Sequence, residues 1–162
     1  HLLEQGRTLP GFIGDISYAQ SNRERYEGFC QALADAGKKV DSSLCLTTPL
    51  GIDTYREEID TFLSSLSRMP DAFVCASDYV ACILMQLLEK RGLRVPEDVA
   101  VSGFDNNTED LLAEHLTTVQ VFNEELGARL ALQILYRIKY PNTPHEITYL
   151  GTNVLYRDST GD

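Results

Sequence analysis

The chain has 162 residues, enough for one ordinary domain, and its 43% hydrophobic, 9% aromatic and 23% charged residues are typical of a globular protein and exclude a disordered one. A formal net charge of −10 argues against a surface that grips phosphate backbone, because such a surface needs clustered Lys and Arg, so any DNA binding is expected outside this chain. No apolar run approaches the roughly 20 residues of a membrane span, and residues 1–6 are too few and too polar for a signal peptide.

Strand-like and helix-like patterns alternate along the chain. This order predicts an α/β fold with a parallel, Rossmann-like sheet and helices on both faces. The predicted strands are 9–14, 44–47, 72–76 and 99–102. Helices are predicted over about 22–36, 53–69, 78–91 and 124–139, and two short extended segments, 147–150 and 153–156, follow them.

Side chains that begin and end helices are present at most of the predicted boundaries. Ser, Asn and Asp accept hydrogen bonds from the first N–H groups of a helix, and Gly commonly ends one. The expected caps are Ser21 or Asn22, Asp53 and Asp78, and the expected stops are Gly37 and Gly92.

The cysteines and histidines form no pattern typical of a metal site or a catalytic centre. Cys30, Cys45, Cys75 and Cys82 lie inside apolar stretches, which favours reduced, buried thiols of a cytosolic protein over a disulfide framework. The three histidines are isolated, and the sequence contains no P-loop, nucleophile elbow or dinucleotide-binding glycine motif. The sequence therefore predicts a protein that is not an enzyme and needs no cofactor or metal.

The most informative stretch is 95–106, in which a loop leads into a buried strand and then into polar residues. The apolar run 99–101 is typical of a strand covered on both faces, and Gly103 permits a sharp turn after it. Asp105 is then expected at the carboxyl edge of the sheet, where open α/β sheets bind small ligands. Its carboxylate can accept hydrogen bonds from adjacent hydroxyls, although a turn role beside Asn106 is the competing interpretation.

Three further polar positions are candidates for the same edge. Arg25 follows a polar loop, and its guanidinium could donate two parallel hydrogen bonds to vicinal hydroxyls or a carboxylate; the alternative is an exposed Arg paired with Glu24 or Glu27. Ser77 and Asp78 directly follow the third strand, where Asp78 fits a helix cap better than a ligand group.

Seven short motifs, in this order along the chain, resemble those of the lactose-repressor/galactose-repressor family of bacterial transcription regulators. They are Gly11-Phe12-Ile13-Gly14, Arg25-Tyr26-Glu27-Gly28-Phe29, Pro70-Asp71-Ala72-Phe73, Ala76-Ser77-Asp78, the 95–106 stretch, Leu116-Thr117-Thr118-Val119 and Arg157-Asp158-Ser159-Thr160. The resemblance implies the type I periplasmic-binding-protein-like fold, mainly its C-terminal lobe. It further implies a small-molecule effector, with a sugar or sugar derivative favoured.

By this resemblance, Arg25 and Asp105 match positions that bind the effector, and Ser21 matches a position that touches it in some members. Ser77 stands where members often have Asn, which shortens the reach of the side chain. Family members often carry an aromatic residue in the segment corresponding to 47–52, and this chain has none there. Tyr18 is the best remaining aromatic candidate to stack on a ligand, and a plain surface-loop role is equally open.

The resemblance also predicts a homodimer and a division into lobes. The matching dimer surface contains Cys82, Met85, Leu111 and Leu112, which could equally be ordinary core. Residues 1–119 would form the C-terminal lobe, 120–149 would return to the N-terminal lobe, and 150–162 would close the C-terminal lobe. The apolar face of the helix from about 124 is then expected to be exposed.

The function predicted from the sequence is effector sensing by a cytoplasmic transcription regulator whose DNA-binding headpiece lies outside this chain. The alternative is an exported solute-binding protein of a sugar transporter, which would have the same fold and the same site between lobes. Neither hypothesis involves the membrane as a binding partner of these residues.

Overall fold

Four parallel strands form the main sheet, in the order β2-β1-β3-β4. They are β1 (Pro10–Ile13), β2 (Cys45–Leu46), β3 (Ala72–Cys75) and β4 (Ala100–Ser102). The computed structural model describes residues 1–51, 53–107 and 111–161, without the side chain of Leu111. The α/β fold with a parallel sheet is thus confirmed, and each of these strands is within two residues of its predicted bounds at either end.

Four α-helices and a two-stranded antiparallel pair complete the architecture. The helices are α1 (Gln20–Asp35), α2 (Tyr55–Ser65), α3 (Asp78–Lys90) and α4 (Asn123–Lys139). The pair consists of β5 (Thr118–Gln120) and β6 (Asn153–Leu155). Only the second of the two extended segments predicted at the end is a strand; the segment 147–150 has no assigned secondary structure.

The pleat of the sheet sends alternate side chains to two hydrophobic clusters. On one face Phe12 packs with Phe29 and Leu33 of α1, while on the other face Ile13 and Phe73 pack with α2 and α3. Helices therefore cover both faces, which explains why these short strands read as apolar runs in the sequence.

Several predicted helix starts are wrong by one or two residues. Ser77, not Asp78, caps α3, because its Oγ accepts from the Val80 N–H at 3.3 Å. Asn22 lies inside α1 and donates its side-chain amide to the Asp15 carbonyl at 2.9 Å. At α2 the preceding residue is Thr54 rather than Asp53. The stops at Gly37 and Gly92 are confirmed, with φ of +68° and +72°.

The motifs 116–119 and 157–160 bind each other in the folded chain. Ser159 Oγ donates to the Val101 carbonyl at 2.6 Å and accepts from the Thr117 N–H at 2.8 Å. The hydroxyls of Thr117 and Thr160 lie 2.6 Å apart and are buried. These buried bonds fasten the end of the chain to the edge strand β4.

Helix α4 differs from the other three helices because none of its side chains is buried. Its exposed apolar residues include Leu126, Leu130, Leu132, Ile134, Leu135 and Ile138. The expectation of an exposed apolar face on this helix is confirmed. In the part of the chain that the structure describes, no helix is both long enough and apolar enough to cross a membrane.

The contrast between α2 and α4 leads to a stability prediction. Ile59 of α2 is 0% exposed, so Ile59→Ala is expected to lower the free energy of unfolding by about 2–5 kcal/mol. The matched control is Ile138→Ala in α4, whose side chain is 72% exposed and whose loss is expected to change stability by less than about 0.5 kcal/mol. Equilibrium urea unfolding at two protein concentrations measures both. If both variants lose the same stability, and the loss depends on protein concentration, then α4 packs between copies of the chain.

Candidate functional site

The loops that follow β1, β3 and β4 meet at the carboxyl edge of the main sheet. Because all four strands are parallel, the residues after each strand lie at the same edge. The structure brings Arg25, from the first turns of α1, next to Asp105, from the loop after β4, with 3.6 Å between Nη2 and Oδ1. The two side chains expected to bind a ligand therefore form one polar site.

Arg25 is held by groups on three sides of its guanidinium. Nη1 donates to the Ala76 carbonyl at 2.6 Å and to Asn22 Oδ1 at 3.3 Å. The Phe104 ring lies beneath the guanidinium, with Cζ 3.7 Å from the ring centroid. These contacts fix the plane of the group, while Nη2 faces Asp105. The alternative of an exposed Arg paired with Glu24 or Glu27 is wrong, since the side chain is only 20% exposed.

The charges at the site influence one another. Partial burial lowers the pKa of the Arg25 guanidinium, although the carboxylates of Asp105 and Asp78 act in the opposite direction. Burial also raises the pKa of Asp105, the Arg25 charge opposes this, and the nearby Asp78 carboxylate adds to it. Asp105 nevertheless keeps 45% of its side chain exposed, so a ligand in solvent can reach it.

Asp78 lies beneath the site as a buried carboxylate, 2% exposed. Its Oδ1 accepts from the Thr118 hydroxyl at 2.6 Å, and its Oδ2 accepts from the Asn107 N–H at 2.8 Å. Burial raises the pKa of Asp78, and these hydrogen bonds lower it, with burial the stronger effect. A Cβ on Gly103 would lie 2.2 Å from Asp78 Oδ1, so the close approach of this turn requires glycine.

The other predicted ligand residues are placed differently. The Ser77 hydroxyl caps α3 and is half-buried, so part of its hydrogen-bonding capacity is already used. Ser21 is exposed in the first turn of α1, and Tyr18 is 76% exposed in the loop before it. Among the described residues, no hydrogen bond or ion pair joins either side chain to Arg25 or Asp105, and their ligand roles stay predictions.

Asp15 is a structural residue of this edge that sequence reasoning did not single out. Its side chain is 8% exposed and accepts hydrogen bonds from the backbone N–H groups of Ser17, Tyr18 and Leu50. Burial raises its pKa, but these bonds and the Ser17 hydroxyl outweigh that effect and leave the pKa lowered. The signal was present in the sequence, because Asp followed two residues later by Ser commonly forms such a turn.

Some of the residues proposed for a dimer surface lie in the core, and others are partly exposed. Cys82 is 3% exposed and packs in the main hydrophobic cluster, so its side chain is not on the surface of this chain. Met85 and Leu112 pack against the same cluster and are partly buried. The side chain of Leu111 lies outside the described residues. The dimer contact stays a prediction for the partly exposed residues.

Arg25 and Phe104 also border a pocket of about 410 Å³. Its other walls are mainly apolar and include Phe29, Leu33 and Val119. A polar ligand needs several converging polar atoms, and the Arg25–Asp105 pair supplies charged ones at the sheet edge. Among the described residues, no group of three or more His, Cys, Asp or Glu side chains is placed to hold a metal ion.

Comparison with known proteins identifies the family. The family of periplasmic binding protein-like domains matches residues 1–160. The chain is a periplasmic-binding-protein-like effector domain of the LacI/GalR family. It is 35% identical to the HTH-type transcriptional regulator DegA of Bacillus subtilis over 79% of this chain and 38% of that protein. It is 31% identical to the NTD biosynthesis operon regulator NtdR of Bacillus subtilis over 99% of this chain and 49% of that protein.

A solved structure supports the same assignment. The transcriptional regulator CelR, in its complex with cellobiose, superposes with a TM-score of 0.87 at 30% identity, over 98% of this chain and 48% of that one. The relatives named here are transcription regulators and not enzymes. The chain spans less than half the length of each of them. Membership of the family therefore identifies these residues as effector-domain residues. What the whole protein does is a separate question, taken up as a proposal.

The buried Asp78 carboxylate of this LacI-type domain leads to a pH prediction. Thr118→Val removes a hydrogen bond that favours the ionised carboxylate, so the pKa of Asp78 is expected to rise further. A folded-state pKa above the ordinary value of 3.8 makes ionisation costly to the folded state. The variant should therefore lose about 1–3 kcal/mol of stability near neutral pH and less in acid, where the carboxyl is protonated.

Urea unfolding between about pH 3 and about pH 7 measures this difference. Thr61→Val is the matched control, because Thr61 is exposed on α2 and the same change removes no buried hydrogen bond. A loss of stability in Thr118→Val that is constant across this pH range would contradict the proposed interaction with an ionised Asp78.

Proposed function

We propose that this chain is the effector-sensing part of a LacI/GalR-type transcription regulator, and that Arg25 and Asp105 bind a small polyhydroxylated molecule, a sugar or sugar derivative. The observation that carries the proposal is the position of these two groups, 3.6 Å apart and partly exposed at the carboxyl edge of a parallel sheet. The same edge offers no nucleophile paired with a base among the described residues, which fits binding rather than catalysis.

The chemistry of the pair suits adjacent hydroxyl groups. The Asp105 carboxylate is an acceptor with two oxygens, and the Arg25 guanidinium is a rigid fork of donors, so each can engage one face of a diol. A distance of 3.6 Å between Nη2 and Oδ1 is longer than a tight charge-assisted hydrogen bond of 2.7–2.9 Å. Both groups thus keep hydrogen-bonding capacity for a ligand instead of using it all on each other.

The ring of Phe104 adds a reason for the Arg25 geometry. Stacking on Phe104 and the bond to the Ala76 carbonyl hold the guanidinium before a ligand arrives. A preorganised donor loses less conformational entropy on binding than a free side chain does. The cellobiose bound to CelR, a relative of the same fold at 30% identity, supports a carbohydrate as the effector class for this chain.

The division of the chain between two lobes is part of the same proposal. Residues 1–119 would form one lobe together with 150–162, and residues 120–149 would belong to the other. The exposed apolar side chains of α4 support this division, because a helix with no buried residue lacks the packing that normally stabilises it. Ligand bound between two lobes would favour their closure, and this is how a binding event reaches distant parts of a protein.

We further infer that the whole protein is a cytoplasmic homodimer that binds DNA through a headpiece outside these residues. The net charge of −10 and the absence of clustered Lys and Arg argue against DNA binding by these residues themselves. The regulators DegA and NtdR support it by family. No observation in the structure favours the exported solute receptor.

Saturation-transfer NMR of this chain with a panel of mono- and disaccharides, cellobiose included, tests the ligand class. Nucleosides and amino acids form the comparison panel. Arg25→Ala and Asp105→Asn are each expected to weaken saccharide binding about tenfold or more, because hydrogen bonds to charged groups contribute about 1.5–3 kcal/mol.

The control for this experiment is Arg23→Ala, which removes an exposed Arg two residues away on the same helix. It is expected to leave binding unchanged. Saccharide binding that both site variants retain would refute the assigned residues. Binding of nucleosides or amino acids in preference to every sugar would refute the ligand class but not the assigned binding residues.

A further inference from the structure

The loop that carries Asp105 has a strained backbone. Asp105 has φ of +109° and Asn106 has φ of +52°, whereas non-glycine residues rarely adopt positive φ. Asn tolerates the left-handed region, in which φ is usually about +50° to +70°. The φ of Asp105 lies well beyond that range. Contacts with the surrounding structure must hold this conformation.

Backbone groups of the loop are held from two sides. The Asp105 N–H donates to the Val119 carbonyl at 3.0 Å, and the Asn106 N–H donates to the Thr118 hydroxyl at 3.3 Å. The Asn107 N–H donates to the buried Asp78 carboxylate. The Asn106 side chain is fixed in addition, because its Oδ1 accepts from Arg157 Nη2 at 2.8 Å.

Arg157 lies just after β6 and ties three segments together. Besides Asn106, its guanidinium donates from Nη1 to the carbonyls of Ala113 and Leu116, both at 2.9 Å. Its own backbone N–H donates to the Thr117 hydroxyl at 2.8 Å. A planar fork can make all three side-chain bonds at once, and the single ammonium of a lysine on a flexible stem cannot reproduce that geometry.

We propose that Arg157 is a positioning residue for Asp105, and that it acts through the side chain of Asn106. By fixing Asn106 in the left-handed region, Arg157 keeps the neighbouring Asp105 in its strained conformation, with the carboxylate directed toward Arg25. The ligand-binding role of Asp105 rests on the proposed function, but the positioning does not. Because Arg157 follows β6, any movement of the β5–β6 pair would reach Asp105 through this side chain.

Amide hydrogen exchange measured by NMR tests the positioning without any ligand. In Arg157→Lys, the Asp105 and Asn107 amides are expected to exchange about tenfold faster or more, because the loop opens more often. The Ala76 amide, which donates to the Ile13 carbonyl in the sheet, should keep its rate. Arg94→Lys is the matched control: Arg94 is 69% exposed and pairs with Asp98, four residues away, so this change should leave all three rates unchanged.

A second variant separates positioning from general stability. Asn106→Gly keeps a residue that accepts positive φ but removes the acceptor of the Arg157 bond. It should accelerate the same two amides, and adding Arg157→Lys to it should change their rates by less than about threefold, because the two residues act in series. Three outcomes would each overturn the proposal. In Arg157→Lys, all amides could exchange faster to the same extent, or the loop amides could keep their rates. In the double variant, the effects of Arg157→Lys and Asn106→Gly could be fully additive.

A ligand measurement then distinguishes this proposal from the proposed function. With cellobiose as the probe, Arg157→Lys is expected to weaken binding about tenfold through the loss of preorganisation. If loop exchange changes as expected and the unmodified chain binds nucleosides or amino acids in preference to every saccharide, the ligand class fails and the positioning role stands. If saccharides bind normally and loop exchange is unaltered in Arg157→Lys, the positioning role fails alone.

Discussion

The Asp78 carboxylate is buried directly under the polar edge of the sheet, and the surrounding loops are arranged to keep it hydrogen-bonded. Removing a carboxylate from water costs several kcal/mol unless hydrogen-bond donors replace the water. The donors here come from β5, through Thr118, and from the loop after β4, through the Asn107 backbone. The Asp78 N–H in turn donates to the Phe104 carbonyl. One buried group therefore fixes the relative positions of three chain segments.

The functional geometry follows from that arrangement. Gly103 must pass within contact distance of Asp78, and the chain then turns through two residues of positive φ before it returns to the Asp78 carboxylate. This turn places Asp105 above the Asp78 carboxylate, where burial, and to a lesser extent repulsion by Asp78, raise the pKa of Asp105. Arg25 compensates from the other side. The site thus combines two carboxyl groups with one rigidly held guanidinium, so it offers both hydrogen-bond acceptors and hydrogen-bond donors within a few ångströms.

The sequence predicted the sheet, its helices and the placement of Arg25 and Asp105 at one edge of the sheet, because these follow from hydrophobic periodicity and from the rule that parallel strands present their carboxyl ends at one edge. The ion pair between the two side chains was not predicted. The sequence also predicted the wrong cap for α3, Asp78 instead of Ser77, since both residues are good caps and only tertiary contacts decide between them. The Asp78 carboxylate accepts a hydrogen bond from the hydroxyl of Thr118, forty residues away, instead of capping the helix. The role of Arg157 was equally inaccessible, because it depends on the conformation of a loop fifty-one residues earlier.

The chain exposes more surface than a folded protein of its mass normally does. A folded protein of 18.1 kDa is expected to expose about 8,000 Å², and this chain exposes 9926 Å². The excess is larger than the roughly 800 Å² that one partner contributes to a standard interface. Side chains of α4 and of the segment after it, such as Ile138, Ile147 and Tyr149, account for much of the exposed apolar surface. Both chain connections to α4 leave from the β5–β6 pair, because β5 precedes the helix and β6 follows it. Under the proposed division into lobes, this pair would connect the helix that a second lobe covers with the Arg157–Asn106 contact that positions Asp105.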